Sequence, residues 1–172
     1  MTITLIGMPA VGKSYMGKSI AKKFNMKLVD GDKVIIKTDG RPLQQIIDED
    51  GLDAFKRIEE ETLLKIKDDN IVFTPGGSAV YYPAVMEKFK KSGIVIYLYA
   101  SAETITNRAV DFTKRGVVLK EGMTMIDLYN ERAPLFEQYA DITVNCDGTQ
   151  FGKYKHNAIQ KIEEYLNKTG QK

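Results

Sequence analysis

The run Gly7-Met8-Pro9-Ala10-Val11-Gly12-Lys13-Ser14 fills every fixed position of the pattern G-x-x-x-x-G-K-[ST]. No other feature of the chain constrains its fold as much. A β-branched run, Thr2–Ile6, precedes it, and apolar residues at helical spacing follow it from Lys13 to Phe24. The segment therefore reads as strand, glycine-rich turn and helix. Glycines let the backbone curl until successive N–H groups point at one anion, and the helix N-terminus adds its partial positive charge. Lys13 suits the β- and γ-phosphates of a nucleotide, and the Ser14 hydroxyl suits a Mg²⁺ ligand.

The remainder of the chain continues the alternation. Residues 28–30, 71–74, 94–99 and 142–144 have strand character, while 83–91, 102–110, 125–139 and 154–167 carry helical periodicity. Alternation of this kind implies an α/β fold with a parallel sheet covered on both faces. Two stretches interrupt it. Residues 32–67 show helical patterns without a strand, broken at Asp39-Gly40-Arg41-Pro42 and Asp50-Gly51, and read as a helical insertion. Residues 111–124 are polar and aperiodic, which in a compact domain marks a functional segment. With no repeat or linker, the 172 residues are expected to form a single domain.

Several residues could carry chemistry beside the phosphate loop. Asp30-Gly31-Asp32 closes the second strand, at the sheet edge where open α/β folds bind ligands. Phosphoryl transfer needs one carboxylate near Mg²⁺ and another to orient or deprotonate the attacking hydroxyl. Gly76 and Gly77 close the third strand and permit close backbone approach to a ligand. Arg108, Arg115 and Arg132 fall within or beside the aperiodic segment and the next helix, where arginine can meet a transferring phosphoryl group or a substrate carboxylate. The charged run of Lys56, Arg57, Glu59, Glu60 and Glu61 reads as a solvated helix face, His156 as structural or exposed, and the tyrosines as core or boundary residues.

Composition excludes other classes. The formal charge is +2 with the basic residues dispersed, which argues against a nucleic-acid or membrane-surface partner. One cysteine, Cys146, precludes an internal disulfide and suits a reducing compartment. The strand-like start gives no sign of a secretory leader, so a cytoplasmic location is expected.

Taken together, these motifs resemble the shikimate kinase family. The resemblance runs from Thr2 to about Asp141 and includes Gly51-x-x-x-Phe55, Gly76-Gly77-Ser78 and Glu131-Arg132-x-Pro134-Leu135-Phe136. It implies a three-layer P-loop fold with a five-stranded parallel sheet, a substrate-binding insertion at 32–67 and a lid at 111–124. It implies a monomeric, ATP- and Mg²⁺-dependent kinase acting on a small molecule, with shikimate the leading acceptor. By that resemblance Gly7, Ala10, Val11, Gly12, Lys13, Ser14, Tyr15, Arg108 and Arg115 would bind ATP. Ser14 and Asp30 would serve the metal, and Lys13, Asp32 and Arg115 the chemistry. Asp32, Lys56, Gly76, Gly77 and Arg132 would hold the acceptor. Three positions depart from the family pattern: Lys56 stands where arginine is usual, Pro75 precedes the paired glycines, and Gly116 follows the lid arginine. A kinase for another hydroxylated acid or cyclitol, or a nucleotide-binding regulator without efficient transfer, stays open at this stage.

Overall fold

The computed structural model describes residues 1–67, 69–108, 122–148 and 151–170. Five strands form one wholly parallel sheet: β1 (Thr2–Ile6), β2 (Lys27–Asp30), β3 (Ile71–Thr74), β4 (Gly93–Tyr99) and β5 (Ile142–Asn145), in the order β2-β3-β1-β4-β5. The central strands β1 and β3 are buried along their whole length, and β4 along all but its ends. This follows from their unbroken β-branched and aromatic sequences. The edge strand β5 alternates buried and exposed residues, as one-sided cover requires.

Strand order sets the layers. The chain moves one way from β1 to β2, then the opposite way through β3, β4 and β5. Right-handed crossovers therefore put α1 (Lys13–Phe24) on one face and the later crossover helices on the other. The C-terminal helix α8 (Phe151–Thr169) packs beside α1 and against β5. On the opposite face lie α5 (Pro83–Ser92), α6 (Ala102–Arg108) and α7 (Met125–Tyr139). The reversal falls between β1 and β3, and the crevice beyond their C-terminal ends is where such folds bind ligands.

Between β2 and β3 the insertion resolves into three helices, α2 (Gly31–Asp39), α3 (Leu43–Asp50) and α4 (Leu52–Lys65). Gly40 and Gly51 punctuate them with φ of 91° and 83°, in the region that favours glycine. The three helices enclose a small apolar cluster of their own, Ile35, Leu43, Ile46 and Phe55. Arg41 ties α2 to the end of α3 by binding Asp39, Glu49 and Asp50. At the start of α7 a capping box fixes the helix: Asp127 N–H donates to Thr124 Oγ1, and Thr124 N–H donates to Asp127 Oδ2. Seven residues further on, that helix carries Arg132. Most of the segment expected as a lid, Arg115 included, lies outside the described residues.

Candidate active site

The loop between β1 and α1 is held by glycine geometry. Gly7 and Gly12 have φ of 146° and 105°, and a Cβ on Gly7 would lie 2.6 Å from the Leu98 carbonyl oxygen of the neighbouring strand. Ala10 also adopts a positive φ, 64°, a strained choice for a residue with a side chain. Helix α1 has no side-chain cap and no acidic residue in its first turn. Its leading N–H groups are therefore suited to an anion rather than committed to the protein. Lys13 Nζ folds back over the loop and donates to the carbonyls of Gly7 (2.8 Å) and Met8 (3.1 Å). Burial pushes the Lys13 ammonium down to about 8, against the opposing pull of Asp32.

A cavity of about 400 Å³ opens over this loop. It is lined by Pro9, Ala10 and Gly12 to Tyr15 of the loop together with Asp32, Glu59, Gly76, Gly77 and Arg132. Leu43 and Phe55 from the insertion supply apolar sides. Burial lifts the Asp32 carboxyl above the usual range, Lys13 pulls it back, and Asp30 adds to the rise. Both glycines lie close against polar groups of the site. A Cβ on Gly76 would sit 2.8 Å from Asp32 Oδ1, and one on Gly77 would sit 2.8 Å from Arg132 Nη1.

The structure corrects the reading of the charged run in α4. Arg57 is exposed, as its position one step beyond Lys56 requires, but Glu59 is 1% exposed and points into the site. Both its oxygens are occupied: Ser78 Oγ donates to Oε1 at 2.6 Å and Tyr82 OH donates to Oε2 at 2.7 Å. Burial raises its pKa while these two hydroxyls oppose the rise. The signal was present in the sequence, because Glu59 lies four residues from both Phe55 and Leu63, which are core residues. Its partners, 19 and 23 residues away, had no local signature.

Arg132 is 3% exposed and faces Tyr81, whose hydroxyl accepts from Arg132 Nε at 3.1 Å and donates to Glu131 Oε1 at 2.6 Å. The reading of Tyr81 as a core or boundary residue missed this role. Lys56 lies outside the first cavity. It lines a second one of about 290 Å³ that shares Ser78 and Arg132 with the first, and its nearest acid is Asp53 at 3.8 Å. Asp30 caps α2 through the Lys33 N–H. Arg108 Nη2 donates to the Cys146 carbonyl at 2.7 Å and to that of Gly148, which braces the turn after β5 rather than the phosphate cavity. His156 is exposed.

Comparison with known proteins identifies the family. The shikimate kinase family profile matches residues 9–166. The chain belongs to the shikimate kinase family. A shikimate kinase of Francisella tularensis subsp. novicida is 32% identical over 168 residues, covering 95% of this chain and 93% of its own. Among solved structures, the Acinetobacter baumannii shikimate kinase in complex with shikimate is 25% identical. It superposes with a TM-score of 0.80 and covers 99% of this chain and 95% of its own. The Aquifex aeolicus shikimate kinase shares the fold, with a TM-score of 0.80 over 99% of both chains at 24% identity.

Proposed function

We propose that this chain transfers the γ-phosphoryl group of ATP to the 3-hydroxyl of shikimate, releasing ADP and 3-phosphoshikimate. One observation carries the proposal: the phosphate loop, Asp32 and Arg132 all line a single cavity. A nucleotide held by the loop presents its terminal phosphate to an acceptor held by Asp32 and Arg132. The family relative solved with shikimate gives the acceptor its name.

In this arrangement the backbone of residues 7–14, together with Tyr15, cradles the triphosphate, and Lys13 exchanges its carbonyl partners for phosphate oxygens. Arg132 holds the acceptor's carboxylate, and Gly76 and Gly77 let the ring lie against the backbone. Asp32 accepts a hydrogen bond from the attacking hydroxyl. Its raised pKa improves it as a proton acceptor over an ordinary aspartate. The hydroxyl oxygen bonds to the γ-phosphorus as the bond to the ADP oxygen breaks, and the hydroxyl proton passes to Asp32. Ser14 and, through water, Asp30 would hold Mg²⁺, which when bound neutralises charge on the β- and γ-phosphates. The residues fit: Ser14 lines the cavity, and Asp30 is near enough to act on the charges of both Lys13 and Asp32. Among the described residues no group of three or more His, Cys, Asp or Glu could hold an ion alone, which suits one that arrives with phosphate.

We assign residues 32–67 to acceptor binding, because Asp32, Leu43, Phe55 and Glu59 all reach the cavity. Residues 111–124, with Arg115, are assigned to a lid that excludes water and stabilises the transferring group. By the family resemblance Arg108 is assigned to the adenine, from the turn after β5 that it braces and outside the phosphate cavity. No helix among the described residues is long and apolar enough to cross a membrane. We place the enzyme in the cytoplasm as a monomer, with one chain of 19.4 kDa as the solution mass to be measured.

The decisive assay is ADP release with shikimate set against other hydroxylated acids, cyclitols and nucleotides. Shikimate should give the highest kcat/KM; turnover with another acceptor and none with shikimate would sink the substrate assignment. Two substitutions read out the acceptor side. Gly77→Ala places a methyl on the Arg132 guanidinium, a movable group, so the fold should survive. Its shikimate KM is expected to rise roughly tenfold with the ATP KM little changed. Lys56→Arg restores a planar fork on the wall shared with Arg132, and the shikimate KM should fall severalfold. An unchanged KM in that variant would mean that residue 56 does not reach the carboxylate.

A further inference from the structure

Arg132 presents its guanidinium in a way that one neighbour determines. Glu131 and Arg132 are adjacent on α7, so their side chains diverge by about 100° and cannot bridge one another directly. Tyr81, the last residue of the 3-10 turn Ala79–Tyr81, spans the gap. Its hydroxyl has a single proton, which it donates to Glu131 Oε1 at 2.6 Å. The oxygen is thereby turned to accept from Arg132 Nε at 3.1 Å, while the guanidinium carbon lies 5.2 Å from the Tyr81 ring centroid. Burial, and the hydrogen bond to Glu131, raise the Tyr81 pKa, so the proton stays in place at neutral pH.

An arginine grips a carboxylate in two planar ways, through Nε with one Nη or through both Nη groups. With Nε engaged by Tyr81, the edge bearing both Nη groups is the one offered, and Nη1 already lies against Gly77. Lys56, a point charge, supplies no second fork. We propose that Tyr81, oriented by Glu131, is a positioning residue that selects the edge of Arg132 on which the acceptor's carboxylate lands. This rests on the assignment of a carboxylated acceptor made above. It makes carboxylate recognition in this chain a property of the Glu131–Tyr81–Arg132 relay rather than of Arg132 alone.

Tyr81→Phe keeps the ring and removes the hydroxyl. With shikimate its KM should rise roughly tenfold, with kcat within about twofold of wild type and the ATP KM unchanged. With an analogue whose carboxylate is replaced by hydroxymethyl, wild type and variant should share one kcat/KM, whereas a merely structural role would depress both acceptors alike. Glu131→Gln should fall between wild type and Tyr81→Phe. A second measurement needs no acceptor. In the ¹⁵N–¹H spectrum of the free enzyme, the Arg132 Nε–H resonance, assigned by its loss in Arg132→Lys, should be protected from exchange and should lose that protection in Tyr81→Phe. Persistence of that protection, or equal loss of activity on both acceptors, overturns the proposal. Should wild type fail to use shikimate, the substrate assignment falls while the spectrum still decides the role of Tyr81.

Discussion

Replacing Lys13 with Met is expected to lower kcat by about a hundredfold to a thousandfold, the scale seen when a single preorganised donor to developing charge is removed. Methionine preserves the length and apolar stem of the side chain and removes only the charge. The native lysine gives its ammonium to two backbone carbonyls of its own loop, at Gly7 and Met8. Neither contact holds distant elements together, so circular dichroism and melting temperature should change little while ADP release falls. The same residue predicts a pH effect whose sign is fixed. A lysine pushed down to about 8 is protonated below that pH and loses its charge as pH rises through it. The free enzyme should therefore lose kcat/KM for ATP above about pH 8. A bound triphosphate surrounds the ammonium with negative charge and raises its pKa, so kcat should hold to higher pH than kcat/KM. Parallel decline of both parameters would show that Lys13 is not the group being titrated.

How far sequence reached can be judged at individual residues. The limits expected for Thr2–Ile6, Lys13–Phe24, Ile71–Thr74 and Met125–Tyr139 are those observed, because each is set by local events: a glycine turn, a positive-φ Asn25, a threonine cap. Other elements were read slightly short. Strand β4 begins at Gly93, where a Cβ would strike the Thr2 backbone at 1.9 Å. That glycine signals close strand contact rather than a break, a distinction only the register with β1 reveals. Helix α8 starts at Phe151, three residues before periodicity becomes visible.

The site divides in the same way. Pro9, Ala10, Gly12 to Ser14, Asp32, Gly76 and Gly77 meet at one cavity because the segments after three strand C-termini converge where strand order reverses, and α7 brings Arg132 to it. Glu59 was half legible, since its helical face was readable and its partners were not. Tyr81 and Tyr82 were illegible in role, because a tyrosine hydroxyl acquires meaning only from what tertiary packing sets against it. Lys56 shows the converse. Its departure from the family pattern was plain in sequence, yet only the structure puts it beside Arg132 at a second cavity, away from the phosphate loop.

Asp32→Asn tests the acceptor side of the first cavity. The amide keeps size and polarity but cannot take the hydroxyl proton, and kcat should fall between about a hundredfold and ten-thousandfold, the usual span for a general base. Both KM values should move far less, which separates a role in transfer from a role in binding. The pH behaviour follows from burial. Because the Asp32 pKa lies above the ordinary aspartate value, the carboxylate form is lost as pH falls through that raised value, and the acid limb of kcat/KM begins higher than for an exposed aspartate. The residual activity of the Asn variant should lack that limb. Stability has the opposite sign. An acid whose folded pKa is raised costs stability wherever it is charged, that is, above its folded pKa, and the cost fades as pH falls and the group takes up its proton. The Asn variant should thus melt at or above the wild-type temperature near neutral pH, with the difference closing on acidification. Lys13 limits the gain, because the same substitution removes the partner that favours its own charge. An enzyme that became less active and also markedly less stable at neutral pH would refute this account of Asp32. One that kept its activity would move the base elsewhere, to a side chain this cavity does not yet assign.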